Sequence, residues 1–187
     1  MIRFSLILGL VSICLADLPV TPPAAIRCGQ TPNAVYSCLG NPKVVKPDVS
    51  QQCTQFVSEC EKLKCVFEKS GWLKDNKVDK EKVKNYFDDY AKETPAWAPA
   101  VEKVKTECLT QDLVAQGVFV NCPAYDVMHC ILTNFLRNAQ PSQWSTSATC
   151  EYPRQFAAAC PVCPEDCFAP QVPYGSCNAC RLLPRST

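Results

Sequence analysis

Histidine, glycine and excess charge are all scarce in this chain, and each shortage excludes a class of function. The 187 residues include one histidine and six glycines, and the formal net charge is +1. With His129 as the one imidazole and no Gly-x-Ser-x-Gly sequence, the usual parts of a Ser-His-Asp hydrolase are missing. A near-neutral chain also lacks the clustered basic surface that binds nucleic acid. The sequence therefore predicts neither an enzyme nor a nucleic-acid-binding protein.

His129 precedes Cys130 on a predicted helix of a cysteine-rich chain, which invites comparison with secreted phospholipase A2. Ile131 follows Cys130, so the His-Asp pair of that enzyme is absent, and six glycines leave no glycine-rich calcium loop. We expect His129 to lie on a helix face or to be partly buried, where its charge can change near neutral pH.

Long apolar runs are also missing beyond the N-terminus. The stretch from Phe4 to Leu15 follows one basic residue and ends at Ala16, which is typical of a secretory signal peptide. A membrane span needs about 18 apolar residues, and Asp17 ends this run too early. We predict a signal peptide over residues 1–16 and a secreted, extracellular domain over residues 17–187, without membrane insertion.

Cysteine is abundant instead. Beyond Cys14 in the predicted signal peptide, fourteen cysteines remain, an even number that permits seven disulfides in an oxidising compartment. They are Cys28, Cys38, Cys53, Cys60, Cys65, Cys108, Cys122, Cys130, Cys150, Cys160, Cys163, Cys167, Cys177 and Cys180. The C-terminal spacing resembles that of a zinc ribbon, but behind a signal peptide it favours disulfides. We expect no metal and no cofactor.

Helical periodicity dominates the middle of the chain, so the sequence predicts an all-α fold of about six helices. Asp48 and Gln51 form a candidate capping pair before one predicted helix. Apolar residues recur after it at helical spacing, namely Cys53, Phe56, Val57, Cys60 and Phe67. A turn is predicted from Asp75 to Lys77. A second apolar face follows it, at Val83, Tyr86, Phe87, Tyr90 and Ala91.

Two further helices are predicted from proline-marked starts. One begins at Thr94 and Pro95 and carries Trp97, Val101, Val104 and Cys108 on one side. The other begins near Asn121 and Pro123 and presents Tyr125, Met128, Leu132, Phe135 and Leu136. The segments 17–47 and 161–187 are rich in proline and cysteine and lack this periodicity. We expect them to be irregular extensions stapled to the helical body.

The segment from Cys60 to Leu73, with its paired cysteines and its Gly71-Trp72-Leu73 turn, resembles the centre of insect odorant-binding proteins. The 42 residues between Cys65 and Cys108 also match the long gap of that family. Cys122-Pro123, Trp144, and Cys160 followed by Pro161 resemble the Plus-C subfamily, which has extra cysteines and a cysteine-bearing C-terminal extension. The likeness covers roughly residues 28 to 180.

The resemblance implies three core disulfides, which join the first to the third, the second to the fifth and the fourth to the sixth core cysteine. Two alignments of the last pair are open. Cys122 and Cys130 match the six-cysteine members, whereas Cys150 and Cys160 match Plus-C because Pro161 follows. We favour the second, which implies bonds from Cys60 to Cys150 and from Cys108 to Cys160, with Cys65 bonded to Cys38 or Cys53. Four residues separate Cys60 from Cys65 where the family has three, which turns one sulfur by about 100° around a helix.

An apolar cavity within the helices is what the resemblance implies for function, with a small hydrophobic molecule such as an odorant as ligand. Helical proteins commonly build such sites between helices. A membrane odorant receptor or a second copy of the chain are the implied partners. Our candidate lining residues are Phe67, Trp72, Val83, Phe87, Tyr90, Trp97, Phe119, Met128, Leu132, Phe135 and Trp144. Tyr90 and Trp97 could donate a hydrogen bond to the ligand, and Met128 suits varied shapes.

A second function class stays open beside the carrier. The proline-rich tail from Pro161 to Thr187 is also compatible with a secreted interaction protein, such as a protease inhibitor or defence factor. As a carrier, the chain would pack this tail across its helices.

Overall fold

Seven α-helices and one short β-hairpin make up most of the regular structure among the residues that the computed structural model describes, 26–119 and 121–168. The helices are α1 Asn33–Cys38, α2 Pro47–Gln51, α3 Glu59–Lys69, α4 Lys80–Glu93, α5 Ala98–Lys103, α6 Pro123–Arg137 and α7 Glu151–Ala159. The hairpin pairs β1 Leu73–Lys74 with β2 Lys77–Val78. The fold is the predicted all-α, disulfide-stapled class. The predicted signal peptide and the end of the tail, with Cys177 and Cys180, lie outside the described residues.

Helix α3 ends in a Schellman motif at Gly71, which has a φ of 73°. The Gly71 N–H donates to the Glu68 carbonyl at 2.9 Å, and the Trp72 N–H donates to the Phe67 carbonyl at 2.7 Å. Glycine adopts this left-handed conformation without a Cβ clash. The rings of Phe67 and Trp72, whose centroids are 5.3 Å apart, supply the apolar contact of the motif. The glycine thus stops the helix and places Trp72 in the core.

The predicted turn after α3 is confirmed as the tip of the hairpin. Asp75 and Asn76 both have positive φ, 50° and 57°. Two such residues between paired strands are the signature of a type I′ turn. The register places Leu73 opposite Val78.

The predicted apolar face of α4 is also confirmed. Val83 and Phe87 are fully buried, and the remaining face residues, Tyr86, Tyr90 and Ala91, pack partly buried against the core. Asp79 begins the helix because its carboxylate accepts the Lys82 N–H at 3.1 Å.

The helix predicted after Asp48 and Gln51 is interrupted, which corrects the sequence interpretation. Helix α2 begins at Pro47, so Lys46 and not Asp48 is the N-cap, and residues 52–58 form turns and bends before α3. The cause is the disulfide between Cys53 and Cys65. A continuous helix would hold these residues about 18 Å apart, whereas their Cα atoms are 5.8 Å apart. Two residues of the predicted stripe consequently face solvent, Phe56 and Val57.

The helix predicted from Pro95 is confirmed as a three-part segment. It starts with a 3-10 turn at Pro95–Trp97, continues through α5 and ends in a π-helical turn at Val104–Cys108. All four predicted inward residues are buried, namely Trp97, Val101, Val104 and Cys108.

Helix α6 begins at Pro123, as predicted, and forms the centre of the domain by packing against α3, α5 and the π-helical turn. Four of its five predicted inward residues are buried, but Leu132 is 38% exposed. With 15 residues it is the longest helix in the described part. No helix there is both long and apolar enough to cross a bilayer.

Periodicity did not predict two of the helices, α1 in the N-terminal extension and α7 just before the C-terminal extension. They pack on each other and are joined by the disulfide from Cys38 to Cys150. A second disulfide joins Cys28 to Cys160 at the end of α7. Trp144 lies buried beside them and forms a β-bridge with Leu39. The N-terminal extension is therefore partly helical, and its described part is tied to the C-terminal half of the chain.

The favoured disulfide assignment, Cys60 to Cys150 and Cys108 to Cys160, is wrong. Cys60 bonds to Cys122, and Cys108 bonds to Cys130. Of these two partner cysteines, Cys122 is the N-cap of α6 and Cys130 lies within it. Helix α6 packs directly on α3 and on the turn that carries Cys108.

The bond from Cys65 to Cys53, one of the two alternatives, is confirmed. Six consecutive cysteines thus pair first to third, second to fifth and fourth to sixth, which is the alignment with Cys122 and Cys130. Five disulfides among the described residues are typical of folding in an oxidising compartment.

Candidate functional site

A groove of about 580 Å³ lies between α3, α6, the segment before α2 and the beginning of the C-terminal extension. We name it the α3–α6 groove. Most of its lining is apolar: Val44, Val45, Leu63, Val66, Phe119, Tyr125, Met128, Leu132 and Pro164. Its polar lining residues are Ser50, Glu59, Lys62, His129 and Glu165. The volume and the apolar character are typical of small-molecule sites.

Helix α6 supplies one wall of the groove through residues at i, i+3, i+4 and i+7. These are Tyr125, Met128, His129 and Leu132, which a helix of 3.6 residues per turn places on one face. Met128 is 4% exposed and Leu132 is 38% exposed. The wall therefore runs from a buried floor at Met128 to an open edge at Leu132.

Three rings follow one another along this wall. Phe119 packs edge-on against Tyr125 with ring centroids 5.0 Å apart, and Tyr125 lies parallel to His129 at 6.3 Å. The His129 Nε2 atom is 3.1 Å from the Val162 carbonyl oxygen. Since Val162 belongs to the C-terminal extension, this contact ties the extension to α6. His129 is partly buried on a helix face, as the sequence predicts.

The polar groups of the groove lie on α2, α3, α6 and the C-terminal extension. Glu59 and Lys62, one turn apart on α3, form an exposed ion pair at 3.8 Å, which contributes little to stability. Ser50 and Glu165 add two more oxygen-bearing side chains. An apolar molecule can bury its hydrocarbon against the floor and place a hydroxyl or carbonyl group towards these side chains.

The sequence-predicted ligand residues divide between this groove and the core. Three of the eleven, Phe119, Met128 and Leu132, line the α3–α6 groove. Six others form a continuous aromatic cluster in the core, together with Tyr86: Phe67, Trp72, Phe87, Tyr90, Trp97 and Phe135. Val83 is buried in the same core, whereas Trp144 lies near α1 and α7.

The aromatic cluster is densely packed. The Phe135 ring lies 5.8 Å from Phe87, 5.7 Å from Tyr90 and 5.2 Å from Trp97, measured between centroids. Such distances are those of directly contacting rings. Burial raises the pKa of the Tyr90 hydroxyl. Within this cluster, these side chains fill one another's space.

Sequence reasoning missed the wall that α3 contributes. Leu63 and Val66 are three residues apart and face the groove. The predicted apolar stripe on this segment consists of other residues, including Cys60 and Phe67, so it does not include this face of α3. Tyr125 and His129 were placed on the helix face but not assigned to the ligand. Tyr125 lies three residues before Met128, and His129 lies three residues before Leu132. This helical spacing could have predicted that all four line one site.

The described residues contain no group of three or more histidine, cysteine and acidic side chains arranged to hold a metal ion. Two of the cysteines with zinc-ribbon spacing, Cys160 and Cys167, form disulfides and are therefore not thiolate ligands.

No family model and no curated protein matches this sequence.

Proposed function

We propose that this protein is a secreted carrier that binds small hydrophobic molecules reversibly in the α3–α6 groove. The observation that carries the proposal is the groove itself, whose floor is apolar and whose edge is polar. Burial of a ligand hydrocarbon is favourable by about 25 cal/mol per Å² of apolar surface removed from water. Binding of this kind needs no covalent chemistry.

The disulfide order supports a distant relationship to insect odorant-binding proteins. Cys53, Cys60, Cys65, Cys108, Cys122 and Cys130 pair in the order that the resemblance implies for six core cysteines. The two additional bonds tie the N-terminal extension to the two ends of α7, and extra cysteines with a C-terminal extension are features of the Plus-C subfamily. We propose odorants or other lipophilic compounds as the ligand class.

Fluorescence titration tests the proposal on the oxidised mature protein. We expect saturable one-site uptake of the apolar dye phenylnaphthylamine, followed by its displacement by a subset of alcohols, aldehydes, esters and fatty acids. Leu132→Glu places a charge at the groove edge and should weaken dye binding more than about tenfold, a loss of about 1.4 kcal/mol. Val114→Glu is the matched control, because Val114 is 64% exposed and does not line the groove.

Two outcomes would contradict the proposal. A folded protein that takes up no dye has no carrier site of this kind. Equal dye affinity in Leu132→Glu and Val114→Glu would place the bound dye outside the α3–α6 groove.

A further inference from the structure

A second groove, of about 730 Å³, lies at the N-terminal end of α6 on another face of the helix, and it differs from the first in chemistry. It is bounded by the β-hairpin, the first turn of α4, residues 111–113 and the first turn of α6. We name it the hairpin groove. Four carboxylates and two lysine ammonium groups line it. Three aliphatic side chains, Val78, Leu113 and Val127, form its apolar patches.

A buried carboxylate, Asp126, faces this groove. Its residue surface is 6% exposed, and one of its oxygens accepts the Gln116 N–H at 2.8 Å. A carboxylate offers about four lone-pair positions, and the described residues supply only this one donor. Burial raises the pKa of Asp126, and the Gln116 hydrogen bond offsets only part of that effect. The carboxylate is therefore short of compensating positive charge.

A second acceptor in the same groove is the Asn76 carbonyl. The Asn76 Nδ2 group donates to the Asn121 side-chain oxygen at 3.1 Å and to the Asn121 main-chain oxygen at 3.4 Å. Since a main-chain oxygen can only accept, these contacts fix which end of the amide is the NH₂ group. The Asn76 Oδ1 atom is consequently left buried, with no hydrogen-bond partner among the described residues.

Neither lysine of the groove, Lys77 or Lys80, forms a hydrogen bond or ion pair with Asp126 or with the Asn76 carbonyl. Lys80 is held by Asp112 at 2.7 Å, across the groove from α4 to the loop. That bond lowers the pKa of the Asp112 carboxyl and directs the Lys80 ammonium group towards residue 112, and no hydrogen bond joins it to Asp126 or Asn76. Buried acceptors that are short of donors favour a ligand that brings its own N–H groups, and a buried carboxylate favours one that is positively charged.

We propose that the hairpin groove binds a small organic molecule carrying a protonated primary amine. Its ammonium group donates to Asp126 and to the Asn76 carbonyl, and its short hydrocarbon body lies against Val78, Leu113 and Val127. A primary ammonium has three N–H donors, which suits two acceptors and a water. This site is separate from the α3–α6 groove, so neither proposal depends on the other.

Amide chemical shifts of the oxidised protein, recorded during titration with hexylammonium chloride, test this inference. We expect saturable shifts at the main-chain amides of Gln116 and Val127. Asp126→Asn keeps an acceptor for the Gln116 N–H but removes the charge, and should weaken binding about tenfold or more. Asp89→Asn is the charge-matched control, because Asp89 is exposed, pairs with Lys92 at 2.8 Å and does not line the groove.

Neutral hexanol should bind the hairpin groove about tenfold more weakly than hexylammonium, since it carries one donor and no charge. The inference is overturned if Asp126→Asn and Asp89→Asn bind hexylammonium equally, or if its shifts fall on the α3–α6 groove, for example at Leu63. Should Asp126→Asn fail to fold, Asn76→Gly tests the same site, since glycine accepts the φ of 57° found there. An unchanged affinity in Asn76→Gly would equally overturn the inference.

Discussion

Truncation of two α6 side chains, Phe135→Ala and Leu132→Ala, should distinguish a residue that stabilises the core from a residue that binds the ligand. The two residues are three apart, so their side chains point about 60° from each other around the helix. Phe135 is fully buried among aromatic rings, whereas Leu132 is 38% exposed at the edge of the α3–α6 groove. Removal of each therefore affects a different property.

Phe135→Ala should lower the free energy of unfolding by about 3 to 5 kcal/mol, the range for truncation of a buried phenylalanine. Three ring contacts are lost as well, to Phe87, Tyr90 and Trp97, which favours the upper part of that range. Because Phe135 does not line the groove, the dissociation constant for phenylnaphthylamine should stay within about twofold, which corresponds to about 0.4 kcal/mol.

Leu132→Ala should show the opposite pattern. Full burial of a leucine side chain is worth about 1.5 to 3 kcal/mol, and 38% of its surface is left for a ligand to cover. That fraction corresponds to about 0.6 to 1.1 kcal/mol, or about a three- to sevenfold loss of dye affinity. The loss of stability should be about 1 to 2 kcal/mol, because the site is open to solvent.

Denaturant unfolding and dye titration of both variants provide the test. If Phe135→Ala does not fold, Phe135→Leu keeps most of the volume and measures the same contrast with a smaller loss. The reasoning is refuted if a folded Phe135 variant loses dye affinity while Leu132→Ala keeps it, because the ligand would then lie within the aromatic cluster.

Three further perturbations follow from the fold. Replacing both Cys38 and Cys150 by alanine leaves the bond from Cys28 to Cys160 in place, so it opens only the ring of about 20 residues between the two bonds. It should lower the free energy of unfolding by about 3 kcal/mol in denaturant titrations, and a loss under about 1 kcal/mol would contradict that chain-entropy estimate. Gly71→Ala should cost about 1 to 2 kcal/mol in thermal unfolding, because φ is 73° there, and an unchanged midpoint would refute the strain argument. Since burial raises the pKa of Asp126, its contribution to stability is present below the unfolded carboxyl pKa and is lost as pH rises through the folded value. The stability of wild type relative to Asp126→Asn should therefore fall with rising pH in that window, and a flat difference would count against it.

The predictions that succeeded rest on local signals. Helix α4 has a complete apolar face and an acidic N-cap, Asp79. The helical spacing of its apolar residues was therefore enough to predict where the helix lies in the sequence. Proline at the first position marked both Pro95 and Pro123 as helix starts. The hairpin tip at Asp75 and Asn76 followed from residues that tolerate positive φ.

The predictions that failed concern pairing between distant segments. Helices α1 and α7 are short and pack on each other, so neither shows a strong period of its own. The partner of Cys60 is decided by the packing of α6 on α3, which is a tertiary contact that spacing does not encode. The break before α3 likewise follows from the bond between Cys53 and Cys65.

The candidate site could be predicted only in part, because α6 is apolar on two adjacent faces. Ile131 and Phe135 lie on the face buried in the core, while Met128 and Leu132 line the groove. Periodicity gives one wide stripe for both sets. The core residues and the groove residues of α6 are distinguished only by where α3 and the C-terminal extension pack around the helix.

The measurement that tests the carrier proposal most directly is the location of a bound ligand. Intermolecular nuclear Overhauser effects between decanol and the methyl groups of the oxidised mature protein would provide it. The account predicts contacts to Leu63, Met128 and Leu132, which line the α3–α6 groove. Contacts to Val83 and Val101 in the core instead, or saturating decanol without any contact to the protein, would contradict it.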